Sequence, residues 1–262
     1  MKKQVLSLLL SLAALSASAQ DGLFGPAETP KSRKGFILNG NASFDLPGAD
    51  MSKRFGVSYR LGPAVLYKTT SNWLFGAKFD FIMGNAIRED SLMANVKDKY
   101  NTGDRSRYEF LTTDGQRVGV RVLERGYAVG VHVGKIISWQ SMHPDNGLML
   151  LTTAGFMQHK LNIFDKEQTV AQIRGTYKKG YDRLTNGIFI EQYAGYAYFA
   201  NNKRINFHIG LDVLVGFTQG RREYLYDVMR PDNKQRIDIL FGVRGGWFIP
   251  IFKRRSEELI FE

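Results

Sequence analysis

Four histidines, His132, His143, His159 and His208, are the side chains of this 262-residue chain best suited to acid–base chemistry near neutral pH. A histidine base makes a hydrolase only beside a nucleophile that it can deprotonate and a third group that orients it. The sequence offers no frame for that. It contains no Gly-x-Ser-x-Gly elbow, no His-Glu-x-x-His and no EF-hand loop. With no cysteine, disulfides and thiolate metal sites are excluded. What remains is a set of charges set in apolar or glycine-rich runs: Arg60, Lys78, Asp80, Glu191, Asp212, Asp238 and Arg244, with His132 and His208 in runs of the same kind. Charges in such surroundings must be paired, hydrated or neutralised.

The elements that position them are strands. From Ile205 to Phe217 every odd position is apolar, while the even positions are mostly small or polar, including His208 and Asp212. A soluble half-buried strand usually runs about 5–6 residues. This one is long enough to cross the hydrocarbon of a membrane, for which about 9–11 tilted residues suffice. Its pattern is that of a strand with lipid outside and a narrow lumen inside.

The same alternation recurs at 36–46, 55–67, 73–83, 122–138, 148–159, 186–199 and 236–252, giving eight strands in all. Phe55 and Val57 fall on the outward face of the second, and Pro63 within it predicts a bulge or irregular pairing. Tyr196 and Tyr198 fall outward at a strand end, where an interfacial aromatic girdle would lie. The fifth strand is apolar on both faces and its register is open. His143 falls in a turn and His159 at a loop edge, where lone histidines are usually solvated. A helical turn near Glu89 to Val96, a short helix from Lys166 to Ile173 and a hairpin at Thr113-Asp114-Gly115 are expected within the longer connections.

Connections after odd-numbered strands are roughly 8, 37, 25 and 17 residues long and those after even-numbered ones roughly 5, 9 and 5. Long and short links therefore sort to opposite rims, as they do in outer-membrane barrels. The expected fold is all-β: an eight-stranded antiparallel transmembrane β-barrel with short periplasmic turns and long extracellular loops. An open sheet would leave backbone unpaired in lipid, so it must close. Eight strands leave an interior that side chains fill. The lumen-facing charges and histidines are then a structural polar network and not a catalytic site, and a pore is disfavoured.

Residues 1–19 read as a signal peptide, with Lys2 and Lys3 ahead of an apolar run and Ala17-Ser18-Ala19 at its end. Residues 20–35 form a periplasmic arm, 36–252 the barrel and 253–262 a charged periplasmic tail. Mean hydropathy is −0.25, as alternating strands require. The net charge of +11 falls by two when Lys2 and Lys3 are removed. An exported chain of this kind has no nucleic-acid partner, so the basic excess points to anionic lipid head groups or an acidic protein surface. Lys178, Lys179, Arg221 and Arg222 are the candidate contacts to phosphates of outer-leaflet glycolipid. No cofactor is implied.

Arg244-x-Gly246-x-x-Ile249-x-Ile251 resembles the signal by which bacterial assembly machinery recognises a final barrel strand, with Pro250 interrupting it. Together with the signal ending ASAQ, the stretch KKGYDRLTNGIFIEQYAGYAYF and the close GVRGGWFIPIFKR, it makes the chain look like small outer-membrane barrels of the Bacteroidota. In that group such barrels occur as accessory subunits of the type IX secretion apparatus and other envelope complexes. The resemblance implies a non-enzymatic structural or accessory subunit with envelope protein partners. The alternative is an outer-membrane enzyme that modifies glycolipid or phospholipid, with His132 and His208 as its candidate bases.

Overall fold

Eleven strands account for most of the chain in a computed structural model that describes residues 32–89, 91–97, 107–139, 143–165, 170–200 and 205–252. They are β1 (Gly35–Ala49), β2 (Ser58–Lys68), β3 (Trp73–Gly84), β4 (Arg107–Leu111), β5 (Arg117–Ile137), β6 (Gly147–Phe164), β7 (Thr185–Phe199), β8 (Asn206–Gly220), β9 (Arg222–Leu225), β10 (Arg230–Asp232) and β11 (Gln235–Phe252). The expected signal segment, most of the expected N-terminal arm, residues 201–204 and the expected tail at 253–262 lie outside the described residues.

Eight of these strands close on themselves. The order β3-β2-β1-β11-β8-β7-β6-β5 is completed by a β5–β3 ladder, and β4 is appended to β5 as a hairpin. First and last strands are joined over their whole length, from Gly35 opposite Phe252 to Ala49 opposite Asp238. Closure leaves no sheet edge in the barrel wall, which is what a wall in lipid requires. Both β1 at Gly35 and β11 at Phe252 end at one rim, called here the terminal rim; the long connections leave the opposite, loop rim.

Alternation dictates which side chains fill the inside. Along β1, Ile37, Asn39, Asn41, Ser43 and Asp45 are buried, while Phe36, Leu38, Phe44 and Leu46 are exposed on the outer wall. The open register of β6 is decided by its neighbours: Met149, Leu151, Thr153, Met157 and His159 point in. Two apolar layers result. One lies toward the terminal rim, around Leu66, Leu74, Met149 and the stacked rings of Phe199 and Phe248 at 5.0 Å. The other, larger, lies toward the loop rim around Ile82, Phe189, Leu214 and Leu240 and continues into the connections above.

Two expectations need correction. Phe55 does not face outward. The chain leaves β2 at Ser58, and Phe55 turns inward, fully buried, with its ring edge-on to His159 at 5.5 Å. Burying a phenylalanine beneath the loops removes more apolar surface from water than the end of a strand would. His159 is likewise buried and not solvated, because β6 runs on to Phe164 and carries it into the lumen. Of the bulge or irregular pairing expected at Pro63, the irregular pairing is what forms. Pairing with β3 lapses between Leu61 and Ala64 and resumes in the same register, while Pro63 still faces Gly40 of β1. A missing N–H costs one ladder bond there without an extra residue. The backbones of β2 and β3 are also close at this point: a Cβ on Gly62 would collide with the Phe79 carbonyl.

The long connections are structured. β4 and β5 form the hairpin expected at Thr113-Asp114-Gly115, with Gly115 at φ 76°, a conformation that favours glycine. β9 and β10 make a second small sheet. Residues 91–97 form consecutive turns, and a 3-10 turn covers Ala171–Ile173; residues 166–169 of the expected helix lie outside the described residues.

Candidate functional site

Seven charged side chains from six strands meet inside the lumen. Arg60 grips Asp45 through both carboxylate oxygens, Nε to Oδ2 at 2.8 Å and Nη2 to Oδ1 at 2.7 Å, and also meets Asp212 and, at 3.2 Å, Glu191. Lys78 donates to Asp80 at 2.8 Å and to Glu191. Arg244 reaches Asp80 at 2.9 Å, Glu191 at 3.0 Å and Asp212 at 3.1 Å. None of these side chains is more than 6% exposed. Three cations face four carboxylates, so the layer is within one formal charge of balance. Each partner on its own would be prohibitively costly to bury, and the set is tolerable only as a unit. Sequence reasoning placed Arg60, Lys78, Asp80, Glu191, Asp212 and Arg244 in this network. Asp45 was the member left out, though its inward position in the β1 alternation was a signal for it.

His132 and His208 border that layer, sharing a small cavity with Lys78, Glu191 and Arg244, while His159 and Asp238 pair with each other away from it. His208 stacks on Phe248 and spends its ring nitrogens on the Tyr193 hydroxyl at 2.8 Å and on the side chains of Asn41 at 3.0 Å and Asn39 at 3.1 Å. None of these is a serine, threonine or cysteine nucleophile. His132 borders a cavity of about 20 Å³ between the asparagines and Lys78, space for roughly one water. Asp238 bonds His159 Nε2 at 2.9 Å, and among the described residues the hydroxyl on that pair, from Thr218, donates to the same Asp238 oxygen and not to the imidazole. A catalytic triad needs the hydroxyl on the histidine. Among the described residues no group of three His, Cys, Asp or Glu side chains is placed to hold a metal ion.

The outer wall shows what surrounds the barrel. Val131, Ile188, Ile190, Leu211, Phe241 and Ile249 are between 46% and 67% exposed, with further aliphatic and aromatic side chains filling the belt between them. Toward the terminal rim the belt ends in Tyr67, Trp73, Tyr196, Tyr198 and Trp247, all outward. No water-soluble surface carries an apolar band of this extent, whereas a closed wall with an aromatic girdle and loops sorted by length is built for lipid. The protein is an outer-membrane β-barrel. Its terminal rim is periplasmic and its loop rim faces outward from the cell.

No family model matches the sequence, and no curated protein matches it. Among solved structures, the barrel is similar to Ail of Yersinia pestis, crystallised with the heparin analogue sucrose octasulfate, at 12% identity and a TM-score of 0.40 over 83% of this chain and 98% of that one. It is similar to Neisserial surface protein A at 9% identity and a TM-score of 0.40, over 81% and 95%. OprG of Pseudomonas aeruginosa follows at 10% and 0.34, over 84% and 97%. Likenesses this distant carry no argument; the closed barrel stands on its own registers.

Both mouths of the outer-membrane barrel are locked by ions. At the periplasmic rim Asp145, buried in the turn before β6, accepts from Lys68 Nζ at 2.7 Å, Ser32 Oγ at 2.8 Å and Arg33 Nε at 2.7 Å. Burial pushes the Asp145 carboxyl up, and the hydrogen bonds from Lys68 and Arg33 more than reverse this, holding it below the ordinary 3.8. A depressed carboxylate stabilises the fold fully above its unfolded value and loses that contribution as pH falls through the folded value. The stability gap between wild type and Asp145→Asn is therefore expected to be constant from about pH 7 to pH 5 and to close below about pH 4, read by urea unfolding in detergent at each pH. A gap that widens on acidification would contradict the lock. His143, in the same turn, accepts the Asp145 backbone N–H at 3.3 Å.

At the outer rim Arg183 binds both oxygens of Asp227 at 2.8 Å and Glu89 at 2.8 Å, tying together three connections. Burial works against the Arg183 charge, but Asp227 and Glu89 hold its proton more tightly than usual. Arg222 is drawn into this cap by Asp182, Nε to Oδ1 at 2.7 Å. Of the four candidate lipid contacts, Arg222 is therefore already paired, Lys178 is half-buried, and Lys179 and Arg221 are exposed.

With a charge layer inside two apolar layers, the barrel is expected to pass no current. Planar bilayers containing the purified protein should show no steps above baseline at 100 mV in 1 M KCl, and stable unitary openings would mean that the plug moves.

Proposed function

We propose that this outer-membrane barrel is a non-enzymatic structural or accessory subunit of an envelope protein complex, of the secretion or outer-membrane assembly kind. The observation that carries the reading is the braced cap over a filled lumen. Arg183, Asp227 and Glu89 hold the outer connections as one body, and that body presents Met229, Tyr177, Tyr224 and Tyr226 outward, with Met229 73% exposed. A rigid platform with exposed aromatic and thioether side chains suits protein contact, since little ordering entropy is left to lose on binding. The resemblance to accessory barrels of the Bacteroidota supports the same role, with the charged tail as a second, periplasmic contact.

The test is extraction in mild detergent followed by affinity capture of the full-length protein and mass spectrometry. Envelope proteins should co-purify in fixed proportion and should be lost when Tyr224 and Met229 are both changed to Ser. Recovery solely as a free monomer, with no envelope defect on deletion, counts against the reading. The rival, a lipid-modifying enzyme, would be favoured if His132→Ala with His208→Ala changed the lipid profile while the barrel stayed folded.

A further inference from the structure

Between the lipid belt and the cap the outer wall changes character within one step of the strand repeat. Ile188, Phe217 and Ile237 are cross-strand neighbours on β7, β8 and β11 and form one outward apolar row. Two residues nearer the loop rim, about 7 Å higher, the corresponding row is Asn186, Gln219 and Gln235. The first row, with Phe156, floors a wall groove of about 730 Å³, and the second row borders it.

Arg221 stands where the rows meet the cap. Its backbone N–H is fixed on Leu184 O at 2.9 Å, and its guanidinium donates Nε to Asn186 Oδ1 at 2.6 Å and Nη1 to Gln219 Oε1 at 3.4 Å. Both partners are neutral amides, and among the described residues no carboxylate pairs with Arg221. Of five N–H donors two are spent in positioning it, which leaves three on a planar, permanently charged and exposed group. The other charges on the groove are neutralised locally: Asp50 by Lys53 and Arg236 by Asp232.

Arg221 also lines a second space, a cleft of about 570 Å³ above it. That cleft is walled by Tyr177, Tyr224 and Tyr226, whose rings lie 6.1–6.3 Å apart, and carries Lys179 with Glu223. Arg222, on its edge, is held by Asp182. From bottom to top the sequence of chemistries is apolar groove, unneutralised guanidinium, aromatic and hydroxylated cleft. An amphiphile of the outer leaflet has the same order: acyl chains, phosphate, sugar.

We propose that this groove and cleft form one binding site for a phosphorylated glycolipid of the outer leaflet, with Arg221 as its phosphate-binding residue. The acyl chains lie on Phe217 and its row neighbours. The phosphate takes the remaining N–H groups of Arg221, with Lys179 adding a second positive charge. The sugar packs against the tyrosine rings. The cleft shares Tyr177, Tyr224 and Tyr226 with the proposed protein-contact platform, whereas Arg221 belongs to the lipid site alone and Met229 to the platform alone, so variants of those two residues separate the readings.

The experiment uses the full-length protein in detergent micelles, titrated by native mass spectrometry with diphosphoryl lipid A, its dephosphorylated form and phosphatidylglycerol. Wild type should bind diphosphoryl lipid A at least tenfold more tightly than either comparison lipid. Arg221→Ala should abolish that preference, and Tyr177→Ala with Tyr224→Ala should weaken lipid A while leaving phosphatidylglycerol unchanged. Lys135→Ala, on the periplasmic rim, should match wild type. Retained heat-modifiable gel migration shows each variant folded. Arg221→Ala binding within twofold of wild type would overturn the proposal. Equal binding of the dephosphorylated lipid would do the same by removing the phosphate contact, and phosphatidylglycerol binding as tightly as lipid A would overturn the glycolipid assignment.

Discussion

Arg60→Ala is expected to lower the unfolding free energy of the barrel by about 3–5 kcal/mol, the cost of leaving buried charges without their partner. Among the described residues Arg60 is the cation paired with Asp45, and its loss would leave four carboxylates facing two cations in a layer whose side chains are at most 6% exposed. The layer predicts the sign of two companion variants. Arg60→Met with Asp45→Leu removes a cation and a carboxylate together and should recover most of the loss, because an ion pair replaced by apolar groups of similar volume is often neutral. Asp212→Asn should cost far less than Arg60→Ala, since it brings the layer to three charges of each sign and keeps a side-chain oxygen facing Arg60 and Arg244. Urea titrations of protein folded in lipid vesicles measure all three. An Arg60→Ala barrel as stable as wild type would mean that the charges are hydrated and the lumen is not sealed.

The second large effect is expected outside the membrane and without loss of the barrel. Arg183→Ala removes the side chain that joins Glu89, which follows β3, to Asp227, which lies between β9 and β10. Asp227 would keep the backbone N–H of Met93 at 2.9 Å but lose both guanidinium bonds. Breaking a buried pair from one side costs about 3–5 kcal/mol. Here that cost falls on the cap, a local unit above strands that are paired independently of it. Three kcal/mol is more than two factors of ten in the population of the opened cap, so trypsin cleavage in the connections at Lys178-Lys179 and Arg221-Arg222 should accelerate by about 100-fold. Unboiled gel migration should stay that of the folded barrel. Arg183→Lys should rescue little, since an ammonium cannot reproduce the planar two-point grip on Asp227. Unchanged protease resistance would show that the apolar packing of Tyr181, Ile173 and Leu92 holds the cap without the ion pairs.

How much of this was legible beforehand follows from what each signal depends on. In β1, β3, β7, β8 and β11 every second residue faces lipid, and the alternation stated which face; the structure agrees position by position from Phe36 to Ile251. Phe55 misled because the local pattern continued past the point where the chain left the wall. Residues above the rim answer to the cap and not to the two-residue period. His159 misled for a related reason: its strand ran five residues longer than the alternation suggested, to Phe164. The strand β6 could be read but its register could not, since Met149 and Leu150 are both apolar, and only pairing with Val133 to Ile137 on one side and Tyr193 to Ala197 on the other placed one inside.

The candidate sites divide the same way. Inward charges could be recognised one by one from their strands, which is why Arg60, Lys78 and Arg244 could be named with their acidic counterparts. Which carboxylate meets which cation depends on the tilt and stagger of the closed barrel, and neither is written in any one strand. The basic pairs show the limit more sharply. Arg221 and Arg222 are adjacent and chemically identical, yet one is bound to Asp182 and the other is held by amides over a lipid-facing groove. By itself the sequence determined the strands, their faces, the even count and the sorting of loops to two rims, because those follow from local periodicity and chain length. The tertiary structure alone decided the charge layer, the cap and the surroundings of Arg221, because each is made by residues far apart in sequence that meet only when β11 closes on β1.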